Sequence, residues 1–183
     1  MDYQKTLAEL ENLVLETYGL WDHNRVGFQC RHYTWNHTKR VRAMGMELGG
    51  KVGGDIQKLE VAGTLHDITK RYDGEILHDK DGKRVTSSQG FWLNEKIKPA
   101  RQNVITELYE QYDLYGTVHH DSGATISEKI LVDFGFDTEF VEAVRSIVFA
   151  HLKPINMNQS DFDILYKNIE NQLLYDADTM DPN

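Results

Sequence analysis

Apolar residues recur at intervals of three and four along most of this chain, and only three prolines interrupt it. That spacing stacks side chains on one face of an α-helix. The expected fold is therefore all-α, a bundle of about six to eight helices. Leu7, Leu10, Leu13, Val14 and Tyr18 predict an opening helix. An irregular aromatic segment follows from Trp21 to Tyr33. Val41, Met44 and Leu48 predict a helix over about 35–48, ended by the GGKVGGD stretch, because glycine commonly follows a last helical turn. Ile56, Leu59, Ala62 and Gly63 share the inner face of a helix over about 55–67. Further helices are predicted near 100–112, 124–134, 138–152 and 161–180. Between residues 71 and 99 the pattern changes. Asp73-Gly74 and Asp81-Gly82 signal turns, and Glu75–Leu77 could pair with Arg84–Thr86 as a short hairpin.

A length of 183 residues fits one domain. The whole chain is read as that domain, with its core from about residue 35 and residues 1–34 packing on it. A net charge of −9 argues against a nucleic-acid surface, which needs clustered Lys and Arg. Cys30 stands alone, so there is no disulfide framework. The opening MDYQKTLAELENL carries charges inside its apolar pattern, unlike a secretory signal, and no stretch is long and apolar enough to span a bilayer. The expected setting is the cytoplasm, with no membrane partner. Oligomeric state has no signal here.

The chemistry lies in the histidines. Eight are present, and three precede an Asp: His66-Asp67, His78-Asp79 and His120-Asp121. The dipeptide alone means little, so context decides. His66 falls three residues after Gly63, on the inner face of its helix. His151 follows Val144, Ile147 and Val148 at helical spacing. His37 precedes Val41, Met44 and Leu48 by four, seven and eleven residues. His78 sits in LHDKDGKR, a charged, turn-rich stretch, and reads as exposed. One inward histidine is ordinary core. Three on separate helices with carboxylates beside them suggest a cation, because buried charge is costly unless paired or metal-bound. Near the end, periodicity leaves Asp176 and Asp178 as alternatives. GGKVGGD lacks the spacing and closing Lys-Ser/Thr of a phosphate loop.

The ordered set HTKRV, LHDITK, HHDSGA, VFAHLKP and DADTMD resembles the HD superfamily of metal-dependent phosphohydrolases, from His37 onward. It is closest in pattern to small members such as the diadenosine tetraphosphate hydrolases. The resemblance implies the ligands His37, His66, Asp67 and Asp178, choosing the second Asp of DADTMD. For two-metal members it adds His119, four residues before Gly123, and His151; a slip to His120 stays open. It implies one or two divalent transition-metal ions (Fe, Mn, Ni, Co or Zn, with Mg disfavoured), with Asp67 as the bridge. The implied activity is hydrolysis of a phosphate ester or anhydride of a nucleotide or similar small molecule by metal-activated water. Lys70 is expected to touch phosphate or aid the leaving oxygen, making it catalytic with Asp67. Arg40 is expected to reach phosphate or a ligand carboxylate, and His120 and Arg71 are assigned to substrate contact. Asp121 is read as a partner of a neighbouring histidine or as a helix cap. Residues 71–99 are read as a rim carrying Arg71, Lys80, Lys83, Arg84, Phe91 and Trp92. Trp21, Phe28 and Trp35 are read as packing residues. The competing readings are a catalytically silent metal- or nucleotide-binding sensor of the same fold and a plain helical bundle with core histidines.

Overall fold

The structure is a computed structural model that describes residues 2–22 and 31–181. Phe28 and Cys30 fall outside the described residues. Eight α-helices are present among them: α1 (Tyr3–Tyr18), α2 (Arg31–Val52), α3 (Ile56–Leu65), α4 (Val104–Gln111), α5 (His119–Asp133), α6 (Thr138–Ala150), α7 (Gln159–Leu165) and α8 (Ile169–Met180). The all-α expectation holds. None of the described helices is long and apolar enough to cross a membrane.

The helices begin where side chains can take up unpaired backbone N–H groups. Asp2 caps α1, Asp55 caps α3, Asn103 caps α4 with a reciprocal box to Thr106, and Asp137 caps α6. Apart from α7, which buries no residue, the helices turn their apolar stripes inward. Leu10, Val14, Val41, Leu59, Leu65, Ile126, Leu131, Val144, Ile147, Val148 and Leu174 are all buried in one core. There α2 packs on α3 and α8, α3 on α6, and α5 on α6, while α1 lies against α2 and α3.

Two glycines set how closely the site-bearing helices approach. A Cβ on Gly63 would lie 2.8 Å from the backbone of Arg42, so α3 crosses α2 with no side chain between them. A Cβ on Gly123 would lie 3.2 Å from the carbonyl oxygen of His66, so α5 presses on the end of α3. These crossings draw distant histidines together.

Several boundaries differ from the sequence expectation. Helix α2 runs through Gly49 and Gly50 and ends at Val52, just before Gly53, whose φ is +90°. Packing explains the continuation: a Cβ at Gly49 would meet the side chains of Leu59 and Ile56, so α3 holds this turn in place. Helix α5 starts at His119 rather than near Ala124, so Asp121 sits in its first turn instead of capping it. The expected last helix is two, parted at 166–168, with Asn168 capping the second.

Residues 73–97 leave the bundle as a small antiparallel excursion. Strand β1 (Asp73–Ile76) pairs with β2 (Asn94–Lys96) rather than with Arg84–Thr86. The expected hairpin survives further out, where the Val85 N–H donates to the Leu77 carbonyl and His78 bridges to Arg84. Phe91 is buried and anchors the excursion; Trp92 is exposed, with the Arg84 guanidinium 4.4 Å from its ring centre. Trp21 is buried and donates to the Ile97 carbonyl, and Trp35 packs on the core, as expected for packing residues.

Candidate metal centre

His37 on α2, His66 and Asp67 at the end of α3, His119 opening α5, His151 closing α6 and Asp178 on α8 converge in space. Two groups of ligand atoms form. His37, His66 and Asp178 bring theirs within 4.8 Å of one another, and so do Asp67, His119 and His151. Asp67 joins the groups. Its Oδ2 lies 3.5 Å from His37 Nε2 and 3.7 Å from His66 Nε2. Its Oδ1 lies 3.7 Å from His119 Nε2 and 3.8 Å from His151 Nε2. Asp178 Oδ1 is 3.0 Å from His37 Nε2.

The second nitrogen of each imidazole fixes its orientation. His66 Nδ1–H donates to the Gly63 carbonyl at 2.8 Å, and His151 Nδ1–H donates to the Val148 carbonyl at 2.6 Å. A carbonyl only accepts, so both rings carry their proton on Nδ1 and turn a lone pair at Nε2 toward the centre. Carboxylates do the same work elsewhere: Asp181 receives His37 Nδ1 at 2.8 Å and Asp73 receives His119 Nδ1 at 2.7 Å. Such partners steer and strengthen metal-ligating histidines.

The donor set fits a divalent cation. The buried Nε2 of His151 has no hydrogen-bond partner, a costly state for a lone pair unless something electropositive sits there. Neutral imidazoles with carboxylates suit first-row transition metals. Burial disfavours ionised Asp67, but His66, Lys70, His119 and His37 outweigh it and hold its carboxyl below the usual range. Burial opposes charge on His37 also, yet Asp178, Asp67 and Asp181 raise it to about 9. His151 is pushed down to about 3 by burial, with His66 adding.

Below about pH 9, His37 of the metal-free protein keeps a proton that a cation must displace. Mn²⁺ affinity should rise roughly tenfold per pH unit between about pH 7 and 8.5 and level off above. Titration calorimetry at three pH values checks it; a flat profile removes His37 from the ligand set.

Periodicity left Asp176 and Asp178 tied, and the tertiary fold separates them. Asp178 faces the cluster; Asp176 borders a different hollow with Leu48, Val52 and Met180. His119, not its neighbour, turns to Asp67. The His120 ring is buried between Phe91 and Phe149, at 4.4 and 4.9 Å between ring centres, and burial pushes it down to about 3. His78 is exposed on the excursion. Lys70 lies 3.5 Å from the His119 ring, partly open to solvent.

Two expected substrate contacts are placed elsewhere. Arg71 is fully buried, its guanidinium 5.9 Å from the Trp21 ring centre, because the 3₁₀ turn at Lys70–Tyr72 rotates it into the core. It therefore forms no part of an exposed rim. Arg40 grips Asp181 with two hydrogen bonds of 2.6 and 2.7 Å, buttressing the carboxylate that holds His37. Lys80, Lys83 and Arg84 sit at the exposed outer end of the excursion.

Asp73 and Asp181 were missed. Asp73-Gly74 reads as a turn marker, and the use of its carboxylate on His119 depends on a contact 46 residues away. Asp181 lies three residues past Asp178 in a motif already singled out; its pairing with Arg40 and His37 spans more than 140 residues. Replacing Asp73 by Asn should weaken metal binding about tenfold by loosening the His119 ring. Unchanged affinity in the folded variant would count Asp73 as a structural ion-pair residue only.

The arrangement defines a helical bundle with a buried His/Asp cluster able to hold divalent cations. Residues 34–114 match the family model of the HD domain. The matched stretch contains His37, His66 and Asp67; the rest of the cluster comes from the chain beyond it. The fold is also similar to the crystal structure of a predicted HD superfamily hydrolase from an uncultured Thermotogales bacterium. The TM-score is 0.52 and the identity 22%, over 94% of this chain and 66% of that one. No curated protein matches the chain by sequence.

Proposed function

We propose that this chain is a metal-dependent phosphohydrolase acting on a phosphate ester or anhydride of a nucleotide or similar small molecule. The observation that carries the reading is Asp67, with one oxygen toward His37 and His66 and the other toward His119 and His151. A carboxylate so placed suits two cations at once. His37, His66 and Asp178 would hold one, and His119 and His151 the other. When bound, such cations acidify a water and neutralise charge growing on phosphoryl oxygens.

The chain's own residues do the rest. The imidazoles, locked through Nδ1, need no rearrangement to present their lone pairs. Lys70, beside His119 at the mouth of the cluster, can hold a phosphoryl oxygen or stabilise the leaving one. The surrounding helices leave Asp67 and the four histidines nearly water-free, which strengthens each electrostatic contact. The named similarity to a predicted HD hydrolase supports the reading at the level of fold. The substrate is expected to be a small molecule, with neither nucleic acid nor membrane as partner.

The test combines metal analysis with phosphate release from p-nitrophenyl phosphate and nucleotides. Stoichiometric Mn, Fe, Co, Ni or Zn, and release that stops on chelation and returns on re-addition, is the expected result. Bound metal without turnover on any phosphate compound would reject the hydrolase reading.

A further inference from the structure

Next to the cluster lies a cavity of about 360 Å³. Its walls come from the excursion, from residues 115–118 ahead of α5, and from the loop after α6. Lys70 and His119 are among them, which joins this cavity to the candidate metal centre.

Three lysines line it, Lys70, Lys96 and Lys153, against one carboxylate, Asp73. The formal balance is three minus one, or +2, inside a chain whose net charge is −9. Such local reversal of sign concentrates anions in a cleft with low-dielectric walls. Asp73 is moreover committed, since one oxygen accepts from His119 at 2.7 Å and the other from Lys96 at 2.6 Å. An ammonium has three donors, so Lys96 has two left for a ligand.

One phosphate at the metal cluster would use Lys70. Lys96 and Lys153 exceed that need, and they come from two separate parts of the chain. The remaining wall is largely apolar, with Leu77, Phe91, Trp92, Tyr115 and Ile155. The cavity therefore has a cationic part and an aromatic part. Its volume is at the small end of ligand pockets, which span ~300–1,000 Å³. That suits one flat organic body rather than two.

We propose that this cavity takes a nucleoside di- or triphosphate, with Lys96 and Lys153 as specificity residues for the phosphate adjacent to the one cleaved. The inference rests on the phosphohydrolase reading and narrows it to a phosphoanhydride. In the reaction a water oxygen forms a bond to the terminal phosphorus and its proton passes to solvent. The bond from that phosphorus to the bridging oxygen breaks. The bridging oxygen leaves with the electron pair on the inner phosphate, whose charge Lys96 and Lys153 hold. Orthophosphate and a nucleotide one phosphate shorter are released.

The test is binding to the full chain loaded with Mn²⁺, using probes that resist hydrolysis. These are α,β-methylene-ADP, the methylenephosphonate analogue of AMP, and methylenediphosphonate. The first should bind about tenfold tighter than the second, as expected for an added charge-assisted contact. It should also bind tighter than the third, which lacks the organic body. Lys153→Met, at a half-buried position with no structural ion pair described, should remove most of the gap between the first two probes. Lys96→Met serves as the second variant, with circular dichroism to confirm its fold. Equal binding of the first two probes, or a gap unchanged in both variants, overturns the proposal. Methylenediphosphonate binding as tightly as the nucleotide analogue overturns the organic half of it. Release of p-nitrophenol by the same sample separates the two readings: turnover with no two-phosphate preference rejects this inference alone, while the preference without turnover on any phosphate compound keeps the pocket and rejects the hydrolase.

Discussion

Asp67→Ala is expected to lose bound metal almost completely and to lower phosphate release by about a thousandfold or more. Each oxygen of this carboxylate faces a different group of histidines. On the proposed reading, its removal would take a ligand from both halves of the cluster and leave any bound cation without the carboxylate that offsets its charge. Loss of fold is not the expected cause. A buried carboxylate is costly, and much of its offset comes from His66, Lys70, His119 and His37. The variant should keep its helical circular dichroism, and Asp67→Asn, which keeps the shape, should lose metal as well. Metal analysis and phosphate release on one sample decide it. A variant with full metal and full rate would remove Asp67 from the centre of the mechanism.

Lys70→Ala should separate binding of the cation from use of it. The ammonium is 3.5 Å from His119 and 4.0 Å from Asp73, yet it is not a metal ligand and is partly open to the cavity. Metal content should stay the same. The rate should fall about a hundredfold, the usual scale for losing one positioned cationic or proton-donating group at a reacting phosphate. Loss of metal together with rate would mean that Lys70 mainly props His119. A normal rate with normal metal would return it to the solvated surface.

The histidines were legible because helical spacing carries facing information. His37, His66 and His151 were each placed inward by apolar neighbours three, four or seven residues away, and all three are buried. His119 and Asp178 were not legible in that way. Each sits beside a chemically similar neighbour, and only resemblance to a family chose between them. Side-chain patterns over the excursion predict turns and a short hairpin. Its main pairing, 73–76 with 94–96, joins residues about 20 apart through backbone bonds that side-chain patterns record weakly. Arg71 departs from the expected rim because one turn of 3₁₀ helix sends it inward, a placement unusual for Arg.

The sequence by itself determined the helical class, the inward faces and the types of ligand available, because those depend on contacts within a few residues. Tertiary structure alone decided which oxygen of Asp67 meets which imidazole, that Asp73 and Asp181 steer His119 and His37, and that three lysines share one cavity. Those relations join residues far apart in the chain, brought together by helix crossings as close as that at Gly63. Local periodicity fixes which side of a helix faces inward; it carries no information about what stands opposite.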